Sequence, residues 1–340
     1  MSDVARIVGD VRARGDAAVA DWSERLDGVE PARAEPAGEV PEEALLALAD
    51  TVHRWHELQR PADVSAEILP GVLLERRWTP LASVGIYVPR RLLSTLVMCA
   101  VPAQVAGVER IVVVTPPDGA GIVARAAELL RLEEVWAVGG PQAIAALAYG
   151  TETIAPVDKV VGPGNGFVNE AKLLVSHDVA VDLPAGPSEV VVLASAGADL
   201  AIAELELAAQ REHGPDAVCR LVEADGDLEG ALARVESLAP EHLVLLGDEA
   251  ERLAPRVRNA GAVFVGSWSP VAAGDYATGG NHVLPTGGRA RSVGGLGLEA
   301  FLKPVTVQRL TPEGLAQVRP VVEALAALEG MPAHAEAVRR

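Results

Sequence analysis

From residue 82 onward, short valine-rich runs alternate with longer runs of helical character, and this alternation constrains the fold more than any other feature. The short runs predict strands at 83–88, 110–115, 135–138, 159–161, 189–193, 218–222, 243–246 and 262–265. The runs between them predict helices at 94–106, 121–130, 141–149 and 167–176, with more helices between the later strands. Strands joined by helices form parallel sheets covered on both faces, so the chain is predicted to be an α/β protein.

The two ends of the chain have a different pattern. Ser2 can cap a helix to about Arg25, and Pro41-Glu42-Glu43 opens another to about Gln59. Residues 279–297 are rich in glycine and predict a long functional loop, and a helix is predicted from Pro312 to Leu328.

A chain of 340 residues is too long for one ordinary core, so two α/β domains are expected. The expected arrangement is two Rossmann-like parallel-sheet domains with a helical N-terminal segment and a small C-terminal helical tail. The expected ranges are 1–80 for the N-terminal segment, packed on the second α/β domain, 81–188 for the first domain, 189–297 for the second and 298–340 for the tail.

The composition excludes several partners. The formal net charge is −18, from 29 basic and 47 acidic residues, which would repel nucleic acid and anionic membranes. The sequence has no apolar run long enough to span a bilayer and no signal-peptide pattern at its start. Cys99 and Cys219 stand in apolar contexts and are expected to be buried thiols. A soluble cytoplasmic protein is expected.

A candidate metal site begins at Gln210 and His213, which stand three residues apart where a helical run meets a Gly-Pro stop. At that spacing an amide oxygen and an imidazole share one helix face. Asp275 and His334 are further candidate ligands, and such donors suit zinc. The spacing alone is also typical of ordinary surface residues.

Other segments carry possible chemistry with an ordinary alternative beside it. Glu241-His242, before a predicted strand, is either a general acid/base pair or a solvated loop pair. The turns at 139–142 and 162–166 could bind phosphate or simply be tight turns, since neither has the G-x-G-x-x-G pattern or a well-spaced acidic ribose partner. Asp275 and His282 in a glycine-rich stretch indicate a ligand site or a surface loop.

Several long motifs occur in a fixed order: Val-Gly-Ile-Tyr-Val-Pro (84–89), Gly-Gly-Pro-Gln-Ala-Ile-Ala-Ala-Leu-Ala-Tyr-Gly-Thr-Glu (139–152), Val-Asp-Lys-Val-Val-Gly-Pro-Gly-Asn (157–165), Asp-Leu-Pro-Ala-Gly-Pro-Ser-Glu-Val (182–190), Glu-His-Gly-Pro-Asp-Ala (212–217), Ala-Pro-Glu-His-Leu (239–243) and Ala-Gly-Asp-Tyr-Ala-Thr-Gly-Gly-Asn-His-Val-Leu-Pro-Thr (273–286). With these motifs the chain resembles the histidinol dehydrogenase family from about Val4 to its last residues.

The resemblance implies a zinc- and NAD-dependent enzyme of histidine biosynthesis that oxidises histidinol to histidine by two hydride transfers. Four groups of matching positions follow from it. The zinc ligands are Gln210, His213, Asp275 and His334, and the acid/base pair is Glu241 and His242. Ser188, His282 and Glu329 would contact the substrate together with the zinc ligands and His242, while Tyr87, Gln142 and Asn165 would contact the cofactor.

The resemblance also implies how the parts are arranged. The cofactor would lie on the first domain, and the metal and acid/base residues on the second. The protein would be a homodimer whose C-terminal tail crosses to the partner's site, with a small-molecule substrate and with neither nucleic acid nor membrane as partner.

The chain departs from the family pattern in places. Arg90 and Arg91 stand where the family has glycines, so we hypothesise that one of them contacts a cofactor phosphate; the alternative is that both face solvent. The interval 214–240 is shorter than usual and the N-terminus begins late. A second domain that lacks a strand–helix piece, and a smaller dimer contact, are therefore expected.

Two other functions stay open on the sequence. One is a dehydrogenase on the same scaffold for a different amino or hydroxyl substrate. The other is a non-catalytic metal- or nucleotide-binding protein, favoured only by the shortened segment beside Arg90 and opposed by the intact Glu241-His242 pair.

Overall fold

The computed structural model describes residues 2–182 and 186–339. Leu183, Pro184 and Ala185, within the 182–190 motif, lie outside the described residues. The chain divides into two compact units, one of Met1–Gln59 with Leu81–Phe301 and one of Arg60–Pro80 with Leu302–Arg340.

The helices are α1 (Asp3–Arg14), α2 (Asp16–Asp27), α3 (Glu42–Glu57), α4 (Leu93–Ala106), α5 (Ala120–Leu129), α6 (Gly140–Tyr149), α7 (Gly166–Val175), α8 (Leu200–Arg211), α9 (Leu228–Leu238), α10 (Asp248–Glu251), α11 (Val271–Tyr276), α12 (Pro312–Leu328) and α13 (Pro332–Ala337). The strands are β1 (Ala32–Arg33), β2 (Val64–Leu69), β3 (Val72–Pro80), β4 (Ser83–Tyr87), β5 (Arg110–Thr115), β6 (Glu134–Ala137), β7 (Lys159–Val161), β8 (Ala180–Val181), β9 (Glu189–Ala194), β10 (Val218–Glu223), β11 (His242–Leu246), β12 (Ala262–Val265) and β13 (Leu302–Leu310).

Residues 2–182 contain a six-stranded sheet in the order β1-β6-β5-β4-β7-β8. All of its pairs are parallel except that of β1 with β6. The strand order reverses at β4, which has β5 on one side and β7 on the other. In open α/β sheets such a switch point opens a crevice at the carboxyl ends of the strands, where ligands bind.

The N-terminal helices cover this first sheet. The apolar stripe of Val4, Ile7, Val8 and Val11 on α1 belongs to one buried cluster with residues of α6 and α7. The expectation that the N-terminal segment packs on the second α/β domain is therefore wrong for α1 and α2. An amphipathic stripe shows that a helix is covered, but not which surface covers it.

The single helix expected from Ser2 to Arg25 is broken at Gly15, which has a φ of +56°. A Cβ at this position would collide with the carboxylate of Glu152. The same carboxylate accepts a hydrogen bond from the Asp16 N–H at 2.8 Å, so the break is set by a contact distant in sequence.

Residues 186–339 contain a four-stranded parallel sheet in the order β10-β9-β11-β12. Helices α9 and α10 cover one face through Ala231, Val235 and Ala250, and α8 with α11 covers the other through Ala203 and Val271. The two sheets and their covering helices confirm the predicted Rossmann-like α/β class.

The second unit contains a sheet that the sequence analysis missed. In its described part, β3 pairs antiparallel with both β2 and β13, and α12 and α13 follow. The expectation of a purely helical N-terminal segment and tail is therefore wrong at 64–80 and 302–310. Strands β2 and β13 are largely exposed and β3 is mostly half-buried, so these strands lack the regular alternation of buried and exposed residues that identifies a strand in a sequence.

No helix within the described ranges is both long and apolar enough to cross a membrane.

Candidate active site

Glu241 and His242 stand where β11 begins, beside the start of the neighbouring strand β9. One carboxylate oxygen of Glu241, Oε2, accepts hydrogen bonds from the Ser188 hydroxyl at 2.6 Å and from the Glu189 N–H at 2.8 Å. Helix α8 also ends at this edge, because a helix that follows a parallel strand runs back toward the strand's start. The candidate acid/base pair thus lies at the amino edge of the second sheet.

Glu241 is placed to exchange a proton near neutral pH. Its side chain is buried, and burial raises its pKa to about 7. The hydrogen bonds from Ser188 and Glu189 oppose this rise, whereas the nearby Asp275 carboxylate adds to it. Both protonation states are therefore accessible, as a general base requires.

His242 presents a free nitrogen to the site. Its Nδ1–H donates to the Glu189 carbonyl oxygen at 3.1 Å, which leaves Nε2 unprotonated in the neutral ring. Nε2 is buried with no hydrogen-bond partner and lies 3.8 Å from Asp275 Oδ1. Burial lowers the pKa of His242 to about 4, so the ring is neutral at physiological pH and can accept a proton.

The candidate ligands Gln210, His213 and Asp275 come from two elements at the same edge. Gln210 lies buried in the last turn of α8, and the exposed His213 follows one turn later, with its N–H donating to the Gln210 carbonyl at 3.1 Å. Asp275 lies on α11; burial raises its pKa to about 6, and the charge of His213 opposes the rise. The charge of His213 also lowers the pKa of His242, so these side chains share one electrostatic environment.

The side chains of the candidate ligands match the preferences of a metal ion only in part. Among the residues with described positions, no three His, Cys, Asp or Glu side chains are grouped to hold one. The set implied by the resemblance instead includes an amide, and the buried amide nitrogen of Gln210 has no partner. Because rotation about the last side-chain bond exchanges amide nitrogen and oxygen, Gln210 can present oxygen at this position.

His282 connects the site to the first sheet. Its Nδ1–H donates to the Asp275 carbonyl at 3.2 Å, and its Nε2 lies 3.5 Å from the Thr95 hydroxyl in the first turn of α4. The neighbouring Asn281 donates to the Met98 carbonyl at 2.7 Å. The glycine-rich loop therefore sets the acid/base edge of the second sheet against the helix that follows β4. Burial lowers the pKa of His282 to about 4.

Glu329 and His334, the remaining candidate substrate and metal residues, lie in the second unit. Glu329 caps the end of α12 and His334 lies on α13, and both side chains are exposed. The structure thus gathers Ser188, Gln210, His213, Glu241, His242, Asp275 and His282 in the first unit and places the other two on the tail.

Tyr87 is the last residue of β4, and Gln142 and Asn165 follow β6 and β7, so all three lie at the carboxyl edge of the first sheet. The Tyr87 hydroxyl accepts from the Gly140 N–H at 3.3 Å, and Asn165 caps α7 through its side-chain oxygen. Gln142 is fully buried, and its amide oxygen has no partner. A buried acceptor of this kind ordinarily has a hydrogen-bond donor, so Gln142 stands out among the buried polar residues.

Three supporting residues escaped the sequence analysis. Glu206 lies one turn before Gln210 and accepts from the Val271 N–H, and its i, i+4 spacing to Gln210 is a signal that could have found it. Asp27 accepts from the Gln142 amide at 3.3 Å, and Thr95 contacts His282. No local pattern identifies the last two.

Cys99 is buried and Cys219 is half-buried, and both are free thiols. Burial raises the pKa of the Cys99 thiol. The expectation from the sequence that both thiols are buried is correct for Cys99 and only partly correct for Cys219.

Two largely parallel sheets with covering helices, and a buried Glu-His pair at the start of β11, make this a Rossmann-like α/β protein with a candidate acid/base site. A family model described as histidinol dehydrogenase matches residues 1–230 and 225–340. The chain belongs to the histidinol dehydrogenase family.

Relatives and solved structures agree with this. The chain is 42% identical to the histidinol dehydrogenase of Methanothermobacter thermautotrophicus, covering 100% of this chain and 93% of that protein, and 39% identical to that of Vibrio cholerae, covering 98% and 90%. The crystal structure of histidinol dehydrogenase from Elizabethkingia anophelis has a TM-score of 0.91 at 31% identity, covering 98% of this chain and 90% of that one. An acetylating aldehyde dehydrogenase from Geobacillus thermoglucosidasius, at 12% identity and a TM-score of 0.54 over 89% and 90% of the chains, shares the fold alone.

The comparisons also bear on the shortened interval. The alignment with the Methanothermobacter protein spans 395 positions for the 340 residues of this chain, so that relative has additional internal residues. The two segments of the family match overlap at 225–230, a range between His213 and Glu241 that includes the turn before α9 and the first residues of that helix.

Proposed function

We propose that this protein is a zinc-dependent, NAD-linked histidinol dehydrogenase. It oxidises L-histidinol through enzyme-bound L-histidinaldehyde to L-histidine, the last steps of histidine biosynthesis. The observation that carries the proposal is the buried Glu241-His242 pair, in which one residue offers an unpartnered Nε2 and the other has a pKa of about 7.

The first oxidation requires a base for the alcohol proton. His242 Nε2 accepts that proton, while the hydrogen bond from Nδ1 to the Glu189 carbonyl keeps the ring oriented. Because the ring is neutral before the reaction, it needs no prior loss of a proton.

The second oxidation requires water. Glu241 accepts a proton from the water that adds to the aldehyde carbon, and Ser188 and Glu189 hold the carboxylate in place. One water molecule enters and two hydrides leave for each alcohol converted to a carboxylate. Retention of the aldehyde in a buried site limits its loss to solvent.

Gln210, His213 and Asp275, with the partner subunit's His334, would hold zinc, and Tyr87, Gln142 and Asn165 would contact NAD. When bound, zinc would fix the substrate's imidazole and amino nitrogens, and NAD would accept hydride. Ser188, His282 and Glu329 would contact the substrate, with the Glu329 carboxylate pairing with its ammonium group.

The decisive assay measures NADH formed per histidinol consumed. About two NADH per histidinol are expected, since two hydrides leave the substrate. Glu241→Gln should impair oxidation of supplied histidinaldehyde more than oxidation of the alcohol, whereas His242→Gln should impair the alcohol step. Glu249→Gln, an exposed change of the same kind, is the control. If the protein oxidised only another alcohol, it would be a dehydrogenase on the same scaffold with a different substrate. If it oxidised no alcohol, it would be a non-catalytic metal- or nucleotide-binding protein.

The same proposal includes a homodimer whose sites are shared. It rests on the family resemblance and on the exposure of Glu329 and His334 on the tail, where they are accessible to a second copy. Mixing inactive His213→Ala and His334→Ala subunits should restore roughly a quarter of the wild-type activity, because half of the dimers are then mixed and each has one intact site. If the mixture were as inactive as each variant alone, active sites shared between the two subunits would be ruled out.

A further inference from the structure

Asp118 stands at the position where a doubly wound sheet carries its ribose-binding acid. It follows β5, the strand next to β4, and β4 is the strand at which the strand order reverses. In dinucleotide-binding folds an acid at this position accepts hydrogen bonds from the ribose hydroxyls. In the sequence, neither glycine turn, at 139–142 or at 162–166, has a well-spaced acidic partner, whereas the topology places an acid after β5.

Arg90 and Arg91 both face Asp118. Arg90 Nη1 lies 3.7 Å from Asp118 Oδ2, and Arg91 Nη2 lies 3.8 Å from Oδ1. The three side chains are 75%, 65% and 67% exposed, so a ligand can reach all of them. A cofactor phosphate that binds either arginine would therefore also lie beside the negatively charged carboxylate of Asp118.

The backbone holds this group in place. The Thr115 hydroxyl donates to the Arg90 carbonyl at 3.2 Å, which ties the turn after β4 to the end of β5. Arg90 has a φ of +40°, a conformation that costs a non-glycine residue energy. A Cβ at Gly119 would lie 2.7 Å from the Arg91 side chain, so glycine leaves the space that Arg91 occupies.

The group lies at the same edge of the first sheet as the candidate cofactor residues. A Cβ on Gly139 would lie 3.1 Å from the Pro116 ring, so the segment leading to Asp118 packs against the turn that starts α6. The next residue in that turn, Gly140, donates to the Tyr87 hydroxyl. The Asp118 group and the buried Gln142 therefore border the same carboxyl edge.

We propose that Asp118 sets the preference of this protein for NAD over NADP by binding the ribose 2′-hydroxyl and by neutralising Arg90 and Arg91. This inference rests on the proposed function, because it assumes that a nicotinamide dinucleotide binds at this edge. A carboxylate accepts hydrogen bonds from a hydroxyl and repels a 2′-phosphate. Without Asp118, the two guanidinium groups are free to bind that phosphate in forked geometry.

The test is a fluorescence titration that gives dissociation constants for NADH and NADPH. Wild type should bind NADH more tightly. Asp118→Asn should weaken NADH binding and tighten NADPH binding, each by about tenfold, since hydrogen bonds to charged groups are changed in both cases. Adding Arg90→Gly and Arg91→Gly to Asp118→Asn should abolish the gain for NADPH. Glu109→Gln, exposed before β5 at the opposite edge of the sheet, removes the same charge and should change neither constant.

An unchanged ratio of the two dissociation constants in Asp118→Asn overturns the inference, as does failure to bind either dinucleotide. Because the readout is binding, it separates the two proposals. A shifted ratio in a protein that does not oxidise histidinol would contradict the proposed function alone, whereas NAD-linked histidinol oxidation with an unchanged ratio would contradict this inference alone.

Discussion

Glu206 on α8 accepts a hydrogen bond from the backbone N–H of Val271, the first residue of α11, at 3.1 Å. The first of these helices carries Gln210 and the second carries Asp275, so one buried carboxylate links the two sources of candidate metal ligands. Burial raises the pKa of Glu206, and the Val271 hydrogen bond opposes that rise.

We predict that Glu206→Ala lowers zinc affinity by about tenfold or more, because loss of the residues that orient metal ligands typically costs 10–100-fold. Glu206→Gln keeps a hydrogen-bond acceptor and should retain most of the affinity. Competition with a coloured chelator measures both constants. Glu204→Ala, exposed on the same helix and paired with Arg211, is the control. Equal losses of zinc affinity in the Ala and Gln variants would show that the hydrogen bond to Val271 does not orient the metal ligands.

The pKa of Glu241, about 7, predicts a pH dependence for the second oxidation. The base must be ionised, so the rate should fall as the pH drops through about 7, and Glu241→Gln should remove this dependence. The Ser188 hydrogen bond lowers that pKa, so Ser188→Ala should move the midpoint to higher pH. The rate of NADH formation from histidinaldehyde, followed between about pH 5 and pH 9, measures this midpoint. A midpoint in Ser188→Ala that is unchanged or moves to lower pH would contradict the assignment.

The buried pair of Lys172 and Asp182 is predicted to stabilise the fold around the turn after β7. Lys172 Nζ donates to the Gly162 carbonyl at 3.0 Å and contacts Asp182 Oδ1, while Asp182 Oδ2 accepts from the Gly162 N–H at 2.6 Å. Lys172→Met leaves a buried carboxylate without its cation and should cost about 3–5 kcal/mol of the free energy of unfolding. Urea denaturation measures the loss, and the exposed Arg256→Ala, which breaks the ion pair with Glu229, should change it little.

The loss in Lys172→Met should shrink at low pH. Burial raises the pKa of Asp182, and Lys172 opposes that rise, so without the lysine the carboxyl group binds a proton more readily in the folded state. A raised folded-state pKa gives a stabilising contribution that is present at low pH and is lost as the pH rises through it. A loss of unfolding free energy in Lys172→Met that increases as the pH falls would contradict this prediction.

Metal removal should abolish substrate binding and leave cofactor binding intact. Chelator-treated protein, like His213→Ala, is expected to lose calorimetric binding of histidinol, because the proposed zinc holds the substrate. NADH binding at the carboxyl edge of the first sheet should persist, and added zinc should restore histidinol binding to the wild type but not to the variant. Histidinol binding that is insensitive to the chelator would remove the metal from the proposal.

Local signals in the sequence were sufficient for much of the fold. Strands β5, β7 and β12 lie at their predicted bounds, because each is a short valine-rich run, which carries a strong strand pattern. Strand β13 was missed, because most of its residues are exposed and it contains Pro304. The break at Gly15 was missed as well, since it depends on the carboxylate of Glu152.

By itself, the sequence determined the alternation of strands and helices, the adjacency of Glu241 and His242, and the membership in a family through ordered motifs. Only the tertiary structure decided that this pair lies at the amino edge of one sheet while Tyr87 and Gln142 lie at the carboxyl edge of another. Only it paired Asp118 with two arginines and Glu206 with Val271. The physical reason is that local pattern sets backbone conformation and burial, whereas contacts between residues distant in sequence depend on how elements pack.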